Sequence, residues 1–380
     1  MAHALLPPSS AHQWVNCTGW LSIAGLFPDD EDTEAAREGA AVHELGEWLI
    51  REWLAREGTM PTELPEVASN GVVITDEMVE RAEFYAGDVT SLMQETGIYG
   101  GGFLGIESRL TMRNRIHEQC WGTTDFYLYD PVKLDLYVWD YKDGFGSVSA
   151  EENWQLICYA AGVMEAIGID GYKDQLVTVH FRIYQPRDYV LGSIKEWSCK
   201  ASDLRGHINR LSTAAARAFS AEAMCTTGAH CKHCDALHVC PAAIQAGLEF
   251  FKACDKPIPL ELTPSRIASM LTLVERAHEH IGNIKDALEA QATVMLRKSG
   301  GVVPGYGLTS GTGHRKWVLP DEQVIELGRQ AGVEVGKTVA LTPAQAEKAG
   351  MDKALVASLT ERPVGGLKLT KIDASKAFKQ

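Results

Sequence analysis

Apolar side chains recur at helical spacing between residues 33 and 57, where Ala36, Ala40, His43, Leu45, Trp48, Leu49 and Trp53 share one face of a predicted helix. A second helix is predicted over 75–96, with Thr75 as N-cap and Asp76 and Glu77 in the first turn, where the helix dipole favours acids. The period then shortens to that of strands. Segments 103–112, 120–129 and 134–142 are short and rich in aromatic and β-branched residues, with turn formers such as Asp130-Pro131 between them. They predict a three-strand meander. Helical spacing returns over 150–167, and 175–184 is again strongly β-prone. The order helix, three strands, helix, strand predicts an α/β fold of the mixed α+β kind, not a long βαβ series. Further helices are predicted over 202–223, from Pro241 onward, and from Pro264 (capped by Thr263) to about Arg297. The stretch 256–259 (Lys-Pro-Ile-Pro) reads as a linker, so the predicted division is a domain over 1–253 and a C-terminal extension over 254–380. A glycine-rich hairpin over 302–318 and two short helices complete the expected extension.

The 380 residues are 45% hydrophobic and 23% charged, values of an ordinary globular chain. No apolar run reaches the roughly 18 residues of a membrane span, and the first residues lack the charged-then-apolar pattern of a secretory leader, so neither is expected. The formal charge of −14, taken alone, argues against a nucleic-acid partner. Its distribution changes that reading. Residues 1–100 hold 18 acids and four bases, which leaves 32 of each sign in residues 101–380. Within the neutral part, 291–320 carries Arg297, Lys298, Arg315 and Lys316 and no acid, and 361–380 carries five bases and two acids. A polyanion could meet these surfaces, and solvated faces account for them equally. The acidic stretch 29–95 is expected to face away from such a partner, except on the side of the first helix that carries His43.

Nine scattered cysteines, an odd number without a leader, point to a reducing compartment and hence the cytoplasm. Cys231-x2-Cys234-x5-Cys240 has metal-ligand spacing. With Cys225 or His238 as fourth ligand the site would be a zinc knuckle; with Cys17, 214 residues before Cys231, an iron–sulfur cluster would close a long loop. Spacing leaves both open.

The strand segment Val138-Trp-Asp140-Tyr141-Lys142 carries an Asp-x-Lys triplet, which recurs by chance in a chain of this composition. Its surroundings give it weight. Asp140 and Lys142 alternate along a strand and share a face. Asp125, in Gly122-x-x-Asp125 on the neighbouring strand, can be brought beside Asp140 by a hairpin. Two convergent carboxylates and a lysine make a hard oxygen site for Mg²⁺ or Mn²⁺, with the ammonium placed to assist an attacking water. Glu107 on the first strand is a further candidate acid for that metal. Gln155 and Tyr159 lie one turn apart on the following helix. Gly332-Val-Glu-Val-Gly336-Lys337 has three residues between its glycines where a phosphate-binding loop needs four, and no Gly-x-Ser-x-Gly elbow is present.

In order, Cys17, His43, Gly122-x-x-Asp125, Asp140-x-Lys142, Gln155-x3-Tyr159 and Cys231-x2-Cys234-x5-Cys240 resemble the RecB-like branch of the PD-(D/E)xK nuclease superfamily that carries a 4Fe–4S cluster, which includes CRISPR-adaptation exonucleases. The opening Pro8-Ser9-Ser10-Ala11-His12-Gln13-Trp14 and Tyr184-Gln185-Pro186-Arg187 are similar to a phage and prophage family of that branch. The resemblance covers residues 8–253. It implies a restriction-endonuclease-like core and a metal-dependent DNA exonuclease that resects ends for recombination. It implies that His43, Asp125, Asp140 and the Tyr141 carbonyl ligate the catalytic Mg²⁺ or Mn²⁺, that Lys142 is catalytic, and that Gln155 and Tyr159 lie near the DNA. It also implies that Cys17, Cys231, Cys234 and Cys240 hold a 4Fe–4S cluster, with Cys225 a bystander. The implied partners are linear DNA ends, single- or double-stranded, a single-strand annealing protein and a second copy of the chain, in the cytoplasm of a bacterial host. Thr124 stands where the superfamily motif has proline. The rival class is a non-catalytic DNA- or protein-binding module with structural zinc.

Overall fold

The computed structural model describes residues 4–24, 34–189, 191–232, 234–254, 263–298, 301–312, 316–335, 341–361 and 364–371. The chain divides into two compact units, Met1–Ile284 and Lys285–Gln380, where the sequence suggested a division at the linker; the linker residues 256–259 lie outside the described residues.

The first unit is built on α1 (Glu34–Ala55), α2 (Asp76–Thr96), β1 (Leu104–Thr111), β2 (Trp121–Asp130), β3 (Asp135–Tyr141), α3 (Trp154–Ile167), β4 (Thr178–Tyr184), β5 (Ile194–Lys200), α4 (Arg205–Ala218), α5 (Pro241–Cys254) and α6 (Pro264–Arg297), the last running on into the second unit. The strands form one mixed sheet in the order β1-β2-β3-β4-β5. The expected meander is present, with β1–β2 and β2–β3 antiparallel. The one parallel pair is β3–β4, joined through α3, and β5 closes the edge antiparallel to β4. The β-prone stretch 175–184 begins as a helical turn, Lys173–Leu176, because Asp174 is held there by Arg205 at 2.6 and 2.7 Å; the strand starts only at Thr178.

Side-chain alternation along the strands covers both sheet faces. Phe126, Leu128, Trp139, Tyr141 and Tyr184 pack under α1 and α2, and Gly46 of α1 admits the Tyr85 ring so closely that an added Cβ would lie 3.1 Å from it. On the other face, Leu136, Val138, Val179, Phe181 and Ile183 pack under α3 and α4. Gly105 on β1 lies beneath its cross-strand neighbour Tyr127, where a Cβ would come within 2.0 Å of the ring. Gly105→Ala must displace that ring, and a loss of about 1–3 kcal/mol is expected, read as a lowered denaturant midpoint. A midpoint equal to the wild type would refute it.

In the second unit, β6 (Tyr306–Thr312) pairs antiparallel with β9 (Val364–Lys371), and β7 (Lys316–Trp317) with β8 (Thr360–Glu361). This corrects the expected hairpin over 302–318. Its two arms pair with the chain's last strands instead of with each other, since period-2 alternation marks a strand but not its partner. Three short helices, not two, lie between: α7 (Asp321–Gln330), α8 (Pro343–Lys348) and α9 (Lys353–Ser358), sharing a small core of Val324, Val335, Ala346, Met351 and Val356. Residues 29–33, 313–315, 336–340, 362–363 and 372–380, which include Arg315, the near-miss glycine motif's Lys337 and part of the basic tail, lie outside the described residues. Among the described residues no helix is long and apolar enough to cross a membrane.

Candidate active site

Three elements bring the acids together. β1 and β2 pair so that Glu107 stands opposite Asp125, between the Ile106–Phe126 and Ser108–Thr124 pairs. There Glu107 takes φ +45°, a left-handed conformation that a non-glycine residue adopts at a cost of about 1–2 kcal/mol. Such strain persists only where the surroundings enforce it, and is concentrated at functional sites. From α1, His43 Nε2 reaches Asp125 at 3.1 Å and Glu107 at 3.3 Å. Among the described residues, these three form the one set of His, Cys, Asp or Glu ligand atoms lying within 4.8 Å of one another.

Asp140 and Lys142 lie at the end of β3, next to the N-terminus of α3. Asn153 caps α3 by accepting from the backbone of Gln155 and Leu156, which fixes Gln155 in its first turn. Gln155 then bridges the pair: its amide donates to Asp140 Oδ1 at 2.8 Å, and its Oε1 accepts from Lys142 Nζ at 3.0 Å. Lys142 Nζ is also 3.0 Å from Asp140 Oδ2, and the Gln155 amide is 3.4 Å from the Tyr159 hydroxyl. Asp140 Oδ2 is buried without a well-directed hydrogen bond, while Asp125 Oδ2 accepts from the Tyr141 backbone N–H at 2.7 Å. That bond ties the two acidic strands together at the residue between Asp140 and Lys142. A cleft of about 640 Å³ opens here, lined by His43, Glu44, Glu47, Tyr141 and Lys142 among others. The His43 side of the acidic first helix therefore contributes two further carboxylates to it.

At the Tyr141 and Asp143 side of the cleft lies a charged network that sequence reasoning missed. The Tyr141 hydroxyl donates to Asp143 at 2.9 Å, and Asp143 is gripped by Arg81 at 3.0 Å and Arg187 at 3.2 Å, both of which also pair with Glu38. Its members are separated by up to 149 residues, beyond any local pattern. Arg187 alone carried a signal, as the last residue of Tyr-Gln-Pro-Arg.

Cys17 and the cysteines of 225–240 lie near one another. Residues 16–19 are stitched to 224–226: Gly19 N–H donates to the Met224 carbonyl at 2.9 Å, Met224 N–H to Thr18 Oγ1 at 3.2 Å, and Thr226 Oγ1 to the Asn16 carbonyl. Gly19 is needed there, since an added Cβ would lie 2.5 Å from the Cys225 nitrogen. Cys17, Cys231 and Cys240 are buried, and all eight described cysteines are free thiols. Burial pushes the Cys225 thiol up to about 12, with Cys17 and Cys240 adding to the rise; Cys234 is likewise raised to about 11 by burial and by Cys231, Asp235 and Cys17, against a backbone hydrogen bond from Ala236. Cys225 therefore stands inside the group instead of outside it. His230, also missed from sequence, hydrogen-bonds Cys17 and Cys231 and is raised to about 10 by them; its pairing outweighs burial and holds the Cys17 thiol below its ordinary range.

A family model described as Protein of unknown function (DUF2800) matches residues 3–375. The chain belongs to the DUF2800 family. No solved structure matches it.

In this DUF2800 chain the donor set suits a hard divalent cation: one imidazole, two carboxylates around it and a third, Asp140, with a buried oxygen short of partners. Burial lowers the His43 imidazole, but Asp125, Glu107 and Asp140 outweigh it and raise the group to about 9. Burial pushes Glu107 up, to about 8, with Asp125 and Glu47 reinforcing and His43 and Arg51 opposing. Burial also raises Asp140, to about 6, against the pull of Lys142, whereas Asp125 is held low by His43 and Lys142 despite its burial. At pH 7 the metal-free centre thus holds protons on both His43 and Glu107. Both folded values exceed the ordinary 6.5 and 4.5, so the stability these protons contribute is complete at low pH and is lost as pH rises through about 8 and 9. Metal must displace the same protons. Mn²⁺ affinity of the DUF2800 protein is therefore expected to climb steeply from pH 6 to 9, with proton release, while the metal-free melting temperature falls over that interval. Titration calorimetry in buffers of different ionisation enthalpy counts the protons; a flat affinity with none released would contradict the assignment.

Proposed function

We propose that this protein is a metal-dependent DNA nuclease with a restriction-endonuclease-like core, acting as an exonuclease on linear ends. The observation that carries the reading is the joining, across α1, β1, β2 and β3, of His43, Glu107, Asp125 and Asp140 with Lys142, which Gln155 fixes beside them. His43, Asp125 and Asp140 would hold Mg²⁺ or Mn²⁺, with the Tyr141 carbonyl and Glu107 as further oxygen donors. A cation there would supply Lewis-acid stabilisation of charge on the scissile phosphate.

The protein's own groups account for the rest. Lys142 is kept charged, because Asp140 and Asp125 more than offset its burial. Its ammonium is positioned to orient a water for in-line attack and to offset phosphoryl charge. Gln155 holds Lys142 and Asp140 in one geometry and keeps the ammonium from rotating away. Tyr159, whose hydroxyl is kept neutral by burial and by Asp140 and Asp125, offers a hydrogen bond toward the strand being cut.

Cys17, Cys231 and Cys240, which are buried, and half-buried Cys234 fit a 4Fe–4S cluster as free thiols from two distant segments. A bound cluster would act as a cross-link between distant segments. Purified protein with Mn²⁺ is expected to shorten end-labelled linear DNA from its ends. A brown colour with bound iron and sulfide is expected after anaerobic purification. Absence of cleavage from every linear single- and double-stranded substrate would overturn the nuclease reading.

A further inference from the structure

β3 and β4 are parallel neighbours, with Tyr141 paired to Tyr184, so the loops that follow them leave the same edge of the sheet. Ligands of parallel strands gather at that edge. The first loop begins with Lys142 and rises through Asp143 and Gly144 to Phe145, which is 67% exposed between two glycines. The second runs from Gln185 to Ser193 and carries Tyr189, 84% exposed. Large aromatic rings at such exposure lose hydrophobic stabilisation unless something covers them.

The described residues of these loops are tied down. Gln185, almost fully buried, donates to the carbonyls of Gly144 and Gly146 at 2.7 Å each and accepts from Val148 N–H at 3.0 Å and Lys195 Nζ at 2.8 Å. One side chain therefore clamps both sides of Phe145 and binds its loop to the next strand. Arg187 anchors Asp143 and sets its guanidinium 5.0 Å from the Phe145 ring centre. Lys195 pairs with the buried Asp188 at 2.7 Å. Glu38, Asp143 and Asp188 at this edge are thus each matched by a cation.

We infer that Phe145 and Tyr189 form a base-stacking platform for the unpaired end of a DNA strand, holding it in register with Lys142. The inference rests on the nuclease reading for its choice of ligand. A ring presented rigidly three residues beyond Lys142 can stack on a base whose phosphate lies at the cleft, and stacking tolerates any base because each has a π-face. Duplex DNA keeps its bases stacked on one another and gains nothing from the platform until its end frays. Single-stranded substrate is therefore preferred, and the preference resides in these two rings.

The test separates binding from cleavage. Affinity for a fluorescent single-stranded dT oligonucleotide and for a blunt duplex is measured by anisotropy in EDTA, on the full chain. Phe145→Ala should weaken single-strand binding by about 5- to 150-fold, the range that one stacked base of about 1–3 kcal/mol corresponds to at 1.4 kcal/mol per tenfold. Duplex affinity should stay within twofold, Phe145→Trp should restore single-strand binding, and Tyr189→Ala should act in the same direction. The slope of affinity against salt should not change, because no phosphate contact is lost. Phe145 is exposed, so the variant's melting temperature should match the wild type. If Phe145→Ala binds single strands within twofold of wild type, or if wild type binds none, the platform is refuted. A variant unchanged in binding on a wild type that cleaves DNA refutes the platform alone, and Phe145-dependent binding without any cleavage refutes the nuclease reading alone.

Discussion

Lys142→Ala is expected to slow cleavage of linear DNA in Mn²⁺ by about 10²- to 10⁴-fold, the range for loss of a positioned proton-transfer or charge-stabilising group. Asp140→Asn should do the same through loss of a metal ligand. The two variants differ in what they leave behind. Without Lys142, Asp140 loses the cation that offsets its burial, and its already raised carboxyl moves further up and takes a proton. Removal of one member of a buried pair is costly because the other stays behind uncompensated. Lys142→Ala should therefore also lower the melting temperature, more at pH 8 than at pH 5, since a protonated Asp140 needs no partner. Asp140→Asn keeps an oxygen for the Gln155 amide but leaves Lys142 with Asp125 as counter-charge, so it too should melt below wild type. Gln155→Ala leaves the Lys142–Asp140 ion pair but removes the amide that fixes its geometry, and a loss of about 10- to 100-fold is expected, as for other residues that orient a metal site from behind. Initial rates on 5′- and 3′-end-labelled strands measure all three. Equal rates for wild type and Lys142→Ala would exclude this site as the seat of cleavage.

The second large effect concerns stability. Cys17→Ser should abolish bound iron and sulfide and cost about 5 kcal/mol, because a cross-link from Cys17 to Cys231 closes a loop of 214 residues. That is a third or more of the roughly 5–15 kcal/mol by which domains are stable. Cys225→Ser is the discriminating companion. Cys225 lies near the four cysteines proposed as ligands but is not one of them, so its variant should keep full iron content; iron lost from Cys225→Ser and kept in Cys17→Ser would reverse the assignment. Stoichiometric zinc in the wild type would remove the cluster from the picture entirely.

The elements that were legible in the sequence are those whose pattern is local. α1, α2 and the meander carry a clear period because each has one face on the core and one in water. β5 was missed because Ile194–Lys200 is an edge strand whose residues alternate only between half-buried and exposed, so its sequence lacks an apolar rhythm. The partners of β6 and β7 lie some fifty residues away, and nothing local names them. In the site, Asp125, Asp140 and Lys142 were legible through spacing on adjacent strands, whereas His43, Gln155 and Tyr159 entered only through the family resemblance. Glu107 was placed by its strand, but its left-handed backbone was invisible, since no glycine or asparagine marks it. His230 was hidden by its more regularly spaced cysteine neighbours, and the Asp143–Arg81–Arg187 network by distance along the chain.

The stitching of residues 16–19 to 224–226 joins positions more than two hundred residues apart, so its order reports on the whole of the chain between them. Pro8, just upstream of that seam, lies against Gly122 and close to the Tyr159 ring, so the N-terminal segment packs beside β2 at the candidate site. Loosening the seam would therefore be felt at Tyr159 with no change to the acids themselves.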